Sequence, residues 1–454
     1  MSRQEDPTES DIGQGEVASW RELFAVPGVS PLFVAQALST WGDYIARLSI
    51  AAVVFSWTRS PLATATTLAV SLLPTVFGRS LLSPLVDRFH FRSILVASAI
   101  ARGVMVVALI LAVALVVPLV LLLVLLVLLE LLGAPAATAG QVMWAEMLPD
   151  RRHFVRAMSL SALSEQANQA VGLALGGLLI GLLGVRTGLL LDLVTFVVVA
   201  AVVLMTVPSR AVPSAPTGRL EVLGSLRAGL GFLRRDPVLV RLLVLSAASM
   251  LAVVAPEAVA IPYAGDHGSW GGLLMSAPIA GAAVGVVVVS RWAPRAANAR
   301  ILPMAMLMPL PLLFTAFHPS LPMTWLLWFV SGAFQAFMLP LQSTFTLVIP
   351  RERRGTVLGL AASVSVGVSG ASYVLAGWLT EHTTPEAAVV MCAVVSLGAL
   401  LLIAGTWPRR RLAAAVASAY GVGASQASVE GESTGMASGE APVPIVATDR
   451  RDAR

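Results

Sequence analysis

The chain has no lysine, a single cysteine and little charge of either sign. Charged residues make up 12% of its 454 positions, about half the share of an ordinary soluble domain, which excludes a water-facing globular surface. Arginine supplies all 30 basic residues. That bias fits a GC-rich bacterial genome, and the high isoelectric point is not the footprint of a nucleic-acid binder. Cys392 stands alone, so no intrachain disulfide can form and no cysteine-based metal centre is expected. There is no Gly-rich loop ending in Lys to cradle a nucleotide, no Gly-x-Ser-x-Gly elbow and no cluster of His, Cys and Asp ligands. Catalysis, ATP-driven pumping and a resident metal or cofactor therefore have no basis in the sequence. The opening residues are acidic and polar rather than basic then apolar, so no cleaved signal peptide is expected.

What the sequence does hold is long apolar runs. Hydrophobic residues make up 57% of it and the mean hydropathy is +0.83. The runs fall at about 31–57, 62–86, 93–116, 119–143, 157–184, 187–207, 238–262, 270–291, 301–318, 322–348, 356–380 and 386–407. Crossing a bilayer as helix takes about 20 residues, and the runs lack the alternation of a barrel strand. The expected fold is an all-α integral membrane protein of twelve transmembrane helices in two six-helix halves, 20–207 and 238–408. The connection 208–237 opens Pro- and Ser-rich and then places Leu223, Leu226, Leu230 and Leu233 along one helical face, which predicts a cytoplasmic linker carrying an amphipathic helix. Residues 1–19 and 409–454 are polar or Ala-, Ser- and Gly-rich and are expected to be disordered, with Trp20 to Pro27 lying along the membrane interface.

The arginines set an orientation. Arg88 and Arg92, then Arg151, Arg152 and Arg156, the series from Arg210 to Arg241, then Arg291, Arg295 and Arg300, then Arg351, Arg353 and Arg354, and Arg409 to Arg411 all fall in alternate connections. The positive-inside rule makes that side cytoplasmic, with both termini inside a bacterial cell membrane.

Several stretches carry a family pattern. Ser39, Gly42 and Asp43, followed by Thr58-Arg59-Ser60-Pro61-Leu62, are one. SPLVDRFHFRSIL is a second: Leu85, Asp87, Arg88, Arg92 and Leu95 fit a signature loop between helices 2 and 3, from which Ser83, His90 and Phe91 depart. MLPDRRHFVRAMSL and VIPRERRGTVLGL, the latter matching at Pro350, Arg354 and Gly355, lie in the connections after helices 4 and 10. Over about residues 20 to 410 the chain thus resembles the major facilitator superfamily, in particular its drug and siderophore exporter branch that includes macrolide efflux proteins. The resemblance implies secondary transport by rocking of two halves about a central site. It also implies a cytoplasmic gate made by Asp87, Arg88 and Arg92, with Asp87 set at a helix N-terminus of the other half, where the dipole favours it.

Ionisable residues inside the membrane are costly and mark functional positions. Asp43 and Arg47 are four apart, on one face of helix 1. Asp43 would exchange a proton or contact cationic cargo with Arg47 tuning it, or the two would form a self-neutralising ion pair. Glu130 in helix 4 would carry a proton, or pair with Arg102 of helix 3. The superfamily's proton antiporters commonly carry an arginine near this level of helix 4, and this chain has none there. Helix 5 sets Glu165, Asn168, Gln169, Gly172 and Gly176 along one broad face, with Glu165 and Gln169 as cavity-lining candidates. Gly172, Gly176 and Gly177 match part of an antiporter signature and also serve close helix packing. Asp192 and Glu257 are placed near the outer helix ends as interface residues. Gln335, Gln342 and Tyr373 are the polar groups of the second half, so the titratable groups concentrate in the first.

The resemblance, together with these features, implies a monomeric exporter of a lipophilic natural product or antibiotic. It would be driven by proton antiport and would take a small amphiphilic substrate within the lipid bilayer. A siderophore exporter and a lipid or lysophospholipid flippase are the alternatives.

Overall fold

The computed structural model describes residues 20–72, 74, 89–148, 150–207, 231–234, 236–265, 267–350, 353–407 and 412. Among them the regular structure is helical. A short helix α1 (Trp20–Ala25) precedes α2 (Val29–Thr58), α3 (Pro61–Val70), α4 (Phe91–Ala114), α5 (Leu119–Met147), α6 (Arg151–Leu183) and α7 (Val185–Thr206). The second half comprises α8 (Pro237–Ala264), α9 (Gly268–Val289), α10 (Pro294–Ala299), α11 (Ile301–Leu307), α12 (Leu310–Leu313), α13 (Leu321–Phe334), α14 (Met338–Val348), α15 (Arg354–His382) and α16 (Pro385–Gly405). Eight helical stretches among the described residues are long and apolar enough to cross a membrane. Large apolar side chains such as Leu115, Val120, Met205 and Leu402 are exposed on or beside the helices, as a lipid-facing surface requires.

Local sequence explains where several helices begin. Ser60-Pro61, Asp236-Pro237 and Thr384-Pro385 open α3, α8 and α16 with a capping oxygen followed by a proline whose missing N–H costs nothing at the first turn. Ser60 Oγ accepts from Ala63 N at 3.1 Å, and Asp236 Oδ1 from Val238 N at 2.8 Å. The tight α2–α3 turn is closed by Arg59 in the left-handed region, its N–H donating to Phe55 O at 2.8 Å.

Two apolar runs that look continuous in the sequence are interrupted. The run 301–318 is divided into α11, α12 and a 3-10 turn, Phe314–Phe317, and the run 322–348 narrows to a 3-10 turn at Gln335–Phe337. Pro309 and Pro311 cannot donate to the preceding turn in the first, nor Pro340 to Ala336 in the second, and each loss tightens the chain locally. Of the run 62–86 the described part is α3 with 71, 72 and 74, and of the linker 208–237 only 231–234 and 236–237.

In the first half α2 packs against α6 and α7, and α4 against α5 and α7; in the second, α8 packs against α9, α15 and α16, and α9 against α13. The halves meet where α6 lies on α9 and α3 on α15. The closest approaches fall toward the arginine-poor ends of these helices. A Cβ on Gly177 would come within 2.7 Å of Gly272 Cα, and one on Gly181 within 2.7 Å of Ser269 Cβ, so backbones touch where only glycine leaves room. At the other seam Glu381 Oε2 on α15 accepts from Ser60 Oγ at 2.7 Å and from Leu62 N at 3.0 Å, capping the start of α3 from across the interface.

The two halves differ inside. A continuous apolar core runs through the second half and takes in Leu48, Ala65, Leu68, Ala170 and Leu173 of the first. The first half has two separate apolar clusters. One, around Leu32, Phe91, Met143 and Trp144, lies toward the arginine-rich end; the other, around Ile50, Val106, Leu126 and Leu189, lies toward the arginine-poor end.

Candidate functional site

Between those two clusters lies a layer of charge. Asp43 stands midway along α2, Arg47 one turn further, Arg102 midway along α4, Glu130 on α5 and Asp192 on α7. The acid–base pairs form between helices rather than along α2. Arg102 Nη2 and Nη1 donate to Asp43 Oδ1 and Oδ2 at 2.9 and 3.3 Å, and Arg47 Nη2 donates to Glu130 Oε1 at 2.8 Å. Among the alternatives that the sequence leaves open, the ion pairs are Asp43 with Arg47 and Glu130 with Arg102; the structure exchanges the partners. A guanidinium arriving from a neighbouring helix meets the Asp43 carboxylate fork-on and makes two charge-assisted bonds. The Asp43 and Glu130 side chains keep 28% and 14% exposure, and their partners Arg102 and Arg47 11% and 21%, so the pairs border an opening rather than a sealed core.

The arginines are also held by aromatic faces. Arg47 Cζ lies 5.2 Å from the Tyr44 ring centroid, and Arg102 Cζ 4.5 Å from that of Phe196. Both contacts orient a cation that hydrogen bonding alone would leave freer to swing.

Asp192 is not an interface residue: it is fully buried, 0% exposed, on the α7 face against α2. Thr195 Oγ1 donates to the Asp192 backbone oxygen at 2.7 Å and lies 3.5 Å from Oδ1. A Cβ on Gly42 would come within 2.6 Å of both Asp192 Oδ1 and Thr195 Oγ1, so the absence of a side chain on α2 makes room for this acid. The sequence does hold a signal for it. In the otherwise apolar run VRTGLLLDLVTFVVV, Gly188, Asp192 and Thr195 are four and three apart and share one face, which a lipid-facing helix would not tolerate.

Glu257, also expected at an interface, instead lies between helices: its carboxylate accepts a hydrogen bond from Tyr373 of α15. Both are within electrostatic reach of Arg47 across the two halves. The second half therefore contributes an acid to the centre, which its polar residues read from the sequence understate.

On α6, Asn168 Oδ1 accepts from Trp41 Nε1 at 3.0 Å, Gln169 is half-buried, and Glu165 is exposed one turn earlier, within electrostatic reach of Tyr44. Gly172 and Gly176 lie against Trp41, Tyr44 and Ile45 of α2, while Gly177 faces α9. The stripe thus serves two seams, one within the first half and one between halves. At the arginine-rich end Arg92 Nη2 donates to Leu204 O at 2.7 Å, tying the start of α4 to the last turn of α7, where a cation suits the free carbonyls. Asp87 and Arg88 lie outside the described residues.

Known proteins share this architecture. Residues 32–310 and 269–425 match the Major Facilitator Superfamily. An uncharacterized MFS-type transporter of Bacillus subtilis (strain 168), YfiS, is 26% identical over 216 residues, 47% of this chain and 50% of that protein. The match thus spans half the length of that relative. Among solved structures, the nucleoside transporter NupG superposes with a TM-score of 0.63 at 10% identity, over 83% of this chain and 98% of that one. A POT family transporter in complex with 5-aminolevulinic acid gives 0.65 at 10% identity, over 86% and 96%. A bacterial homologue of the iron transporter ferroportin gives 0.56 at 16%, over 84% and 100%. These likenesses establish the fold, and the family match covers both sets of helices that build it. A chain of apolar spans with a charged layer inside one half is thereby placed as a transport protein rather than an enzyme, a member of the Major Facilitator Superfamily.

Proposed function

We propose that this chain is a secondary exporter that moves a lipophilic natural product or antibiotic out of a bacterial cell by proton antiport, with alternating access. The observation that carries this reading is the layer of paired acids and arginines on α2, α4 and α5, which borders an opening midway between two apolar clusters. Buried pairs of this kind stabilise little by themselves, because desolvation offsets much of the attraction. They are well suited to exchange partners when a proton or a charged substrate arrives. Asp43 and Glu130 are the coupling candidates, with Arg47 as the cation that both halves' acids face and Glu165 and Gln169 lining the approach.

With the arginine-rich end cytoplasmic by the positive-inside rule, the close seams of α6 on α9 and α3 on α15 become an outer gate that is shut. The conformation described is then open toward the cytoplasm, ready to load an export substrate. Asp87, Arg88 and Arg92 form the opposing gate, which latches when the halves rock the other way.

Everted membrane vesicles test the reading. When energised and offered erythromycin, a hydroxamate siderophore or a fluorescent lysophospholipid, they should accumulate the macrolide and release protons as it enters. Asp43→Asn and Glu130→Gln should lower that exchange at least about ten-fold, a barrier increase of roughly 1.4 kcal/mol. Uptake of a transported compound that is indifferent to an uncoupler rules out antiport, and uptake of the lysophospholipid alone would make the chain a flippase.

A further inference from the structure

The charges in the central layer do not balance. Among the described residues of the first half, the helices bring three acids, Asp43, Glu130 and Asp192, to two guanidiniums, Arg47 and Arg102, and each guanidinium is already bound to one of the first two. Asp192 is the remainder. Among the described residues its buried Oδ2 meets no donor, and its Oδ1 has only the Thr195 hydroxyl at 3.5 Å, which donates at 2.7 Å to the backbone instead. An ionised carboxylate sealed from solvent without a donor is costly, whereas a carboxyl that carries its proton is not.

The groups around it are set for exchange. Asp43 on α2, Arg102 on α4 and Glu130 on α5 lie within electrostatic range of it, while α6 meets α7 through the apolar Ile180 beside Gly188. Arg102 stacks on Phe196, which lies one turn from Asp192 on α7, and the buried Arg102 Nε meets no acceptor among the described residues. One guanidinium thus binds one acid, lies within electrostatic range of a second, and leaves part of its donor fork unused.

We propose that Asp192 is the proton-binding site of this layer. It holds a proton while Arg102 is bound to Asp43. When the guanidinium swings onto Asp192, the Asp192 O–H breaks, its proton passes to the Asp43 carboxylate, and the charge of the layer is unchanged. Asp43, 28% exposed, then exchanges that proton with water in the opening. The role of this step in transport rests on the antiport reading above; proton binding by Asp192 does not.

The test therefore needs no transport substrate. The full-length chain, purified in detergent, is followed by infrared difference spectroscopy on a pH change in water and heavy water, with proton release counted by a pH dye. The wild type should show the carbonyl band of a protonated carboxyl that shifts on deuteration. Asp192→Asn should lose that band and release about one proton per chain fewer, while Asp192→Glu, which keeps the group but moves it, should retain a displaced band. A band and proton count unchanged in Asp192→Asn, or lost in Asp43→Asn but kept in Asp192→Asn, overturn the assignment. A wild type that carries the Asp192 band but transports indifferently to an uncoupler leaves this site standing and removes antiport.

Discussion

At the scale of single residues, Arg47 and Arg102 each leave a buried Nε without a partner among the described residues while their outer nitrogens bind acids on other helices. Each cation is held by one acid and still has a buried donor to spare, and removing one cation would leave its acid buried and unpaired, so that loss should cost more than removing a complete pair. Arg102→Gln strands Asp43 beside Glu130 and Asp192, and is expected to destabilise the protein by about 3–5 kcal/mol, the range for breaking a buried pair. The double variant Arg102→Gln with Asp43→Asn should recover most of that loss. Thermal unfolding in detergent measures both, and a double variant as unstable as the sum of the singles would mean that the pair carries no coupling. The charged positions themselves are legible in the sequence, as isolated ionisable residues inside apolar runs. Their pairing is not. The period of 3.6 tells which residues share a face of one helix, as it does for Asp43 and Arg47, but says nothing about which helix arrives opposite.

At the scale of elements, close approach of helices decides more than their apolar content. The α2–α7 contact is held open for Asp192 by Gly42, whose Cβ would meet the carboxylate and the Thr195 hydroxyl at 2.6 Å. Gly42→Ala should therefore lower stability by about 1–3 kcal/mol, the usual cost of overpacking, although alanine is the better helix former. Gly367→Ala on α15, where nothing lies within 4 Å, should leave stability unchanged or raise it by up to about 1 kcal/mol. Equal effects in a thermal-shift comparison would show that the α2–α7 seam yields freely. Helix starts are legible because Ser-Pro, Asp-Pro and Thr-Pro state both a cap and a fixed first φ. The breaks in α11–α12 and α13–α14 are written in prolines as well, but run length alone masks them when nearly every neighbour is apolar.

At the scale of the molecule, the two seams between halves act in one direction. Glu381 on Ser60 and Leu62, and Gly177 on Gly272, favour the conformation closed at the arginine-poor end. The proposed latch at Asp87 favours the opposite one. Glu381→Gln and Asp87→Asn should then shift the equilibrium in opposite senses. A charge at a helix N-terminus contributes roughly 0.3–1 kcal/mol when exposed, which is about a two- to five-fold change in population. The single native cysteine, Cys392, is buried, so Ala63→Cys supplies a reporter at the arginine-poor end. Its reaction with an impermeant thiol reagent should speed up in Glu381→Gln and slow down in Asp87→Asn. Shifts of the same sign would remove the paired-gate description.

Helicity and the choice of arginine-bearing connections follow from the residue order. Each rests on transfer energies and local geometry that act within about twenty residues. Four other outcomes needed the folded chain: Asp43 binds Arg102, Arg47 binds Glu130, Asp192 is sealed against Gly42, and Glu257 faces the first half from the second. They depend on which helices become neighbours and how closely their backbones approach. Contacts that join residues far apart in the chain cannot be read from the periodicity of either partner.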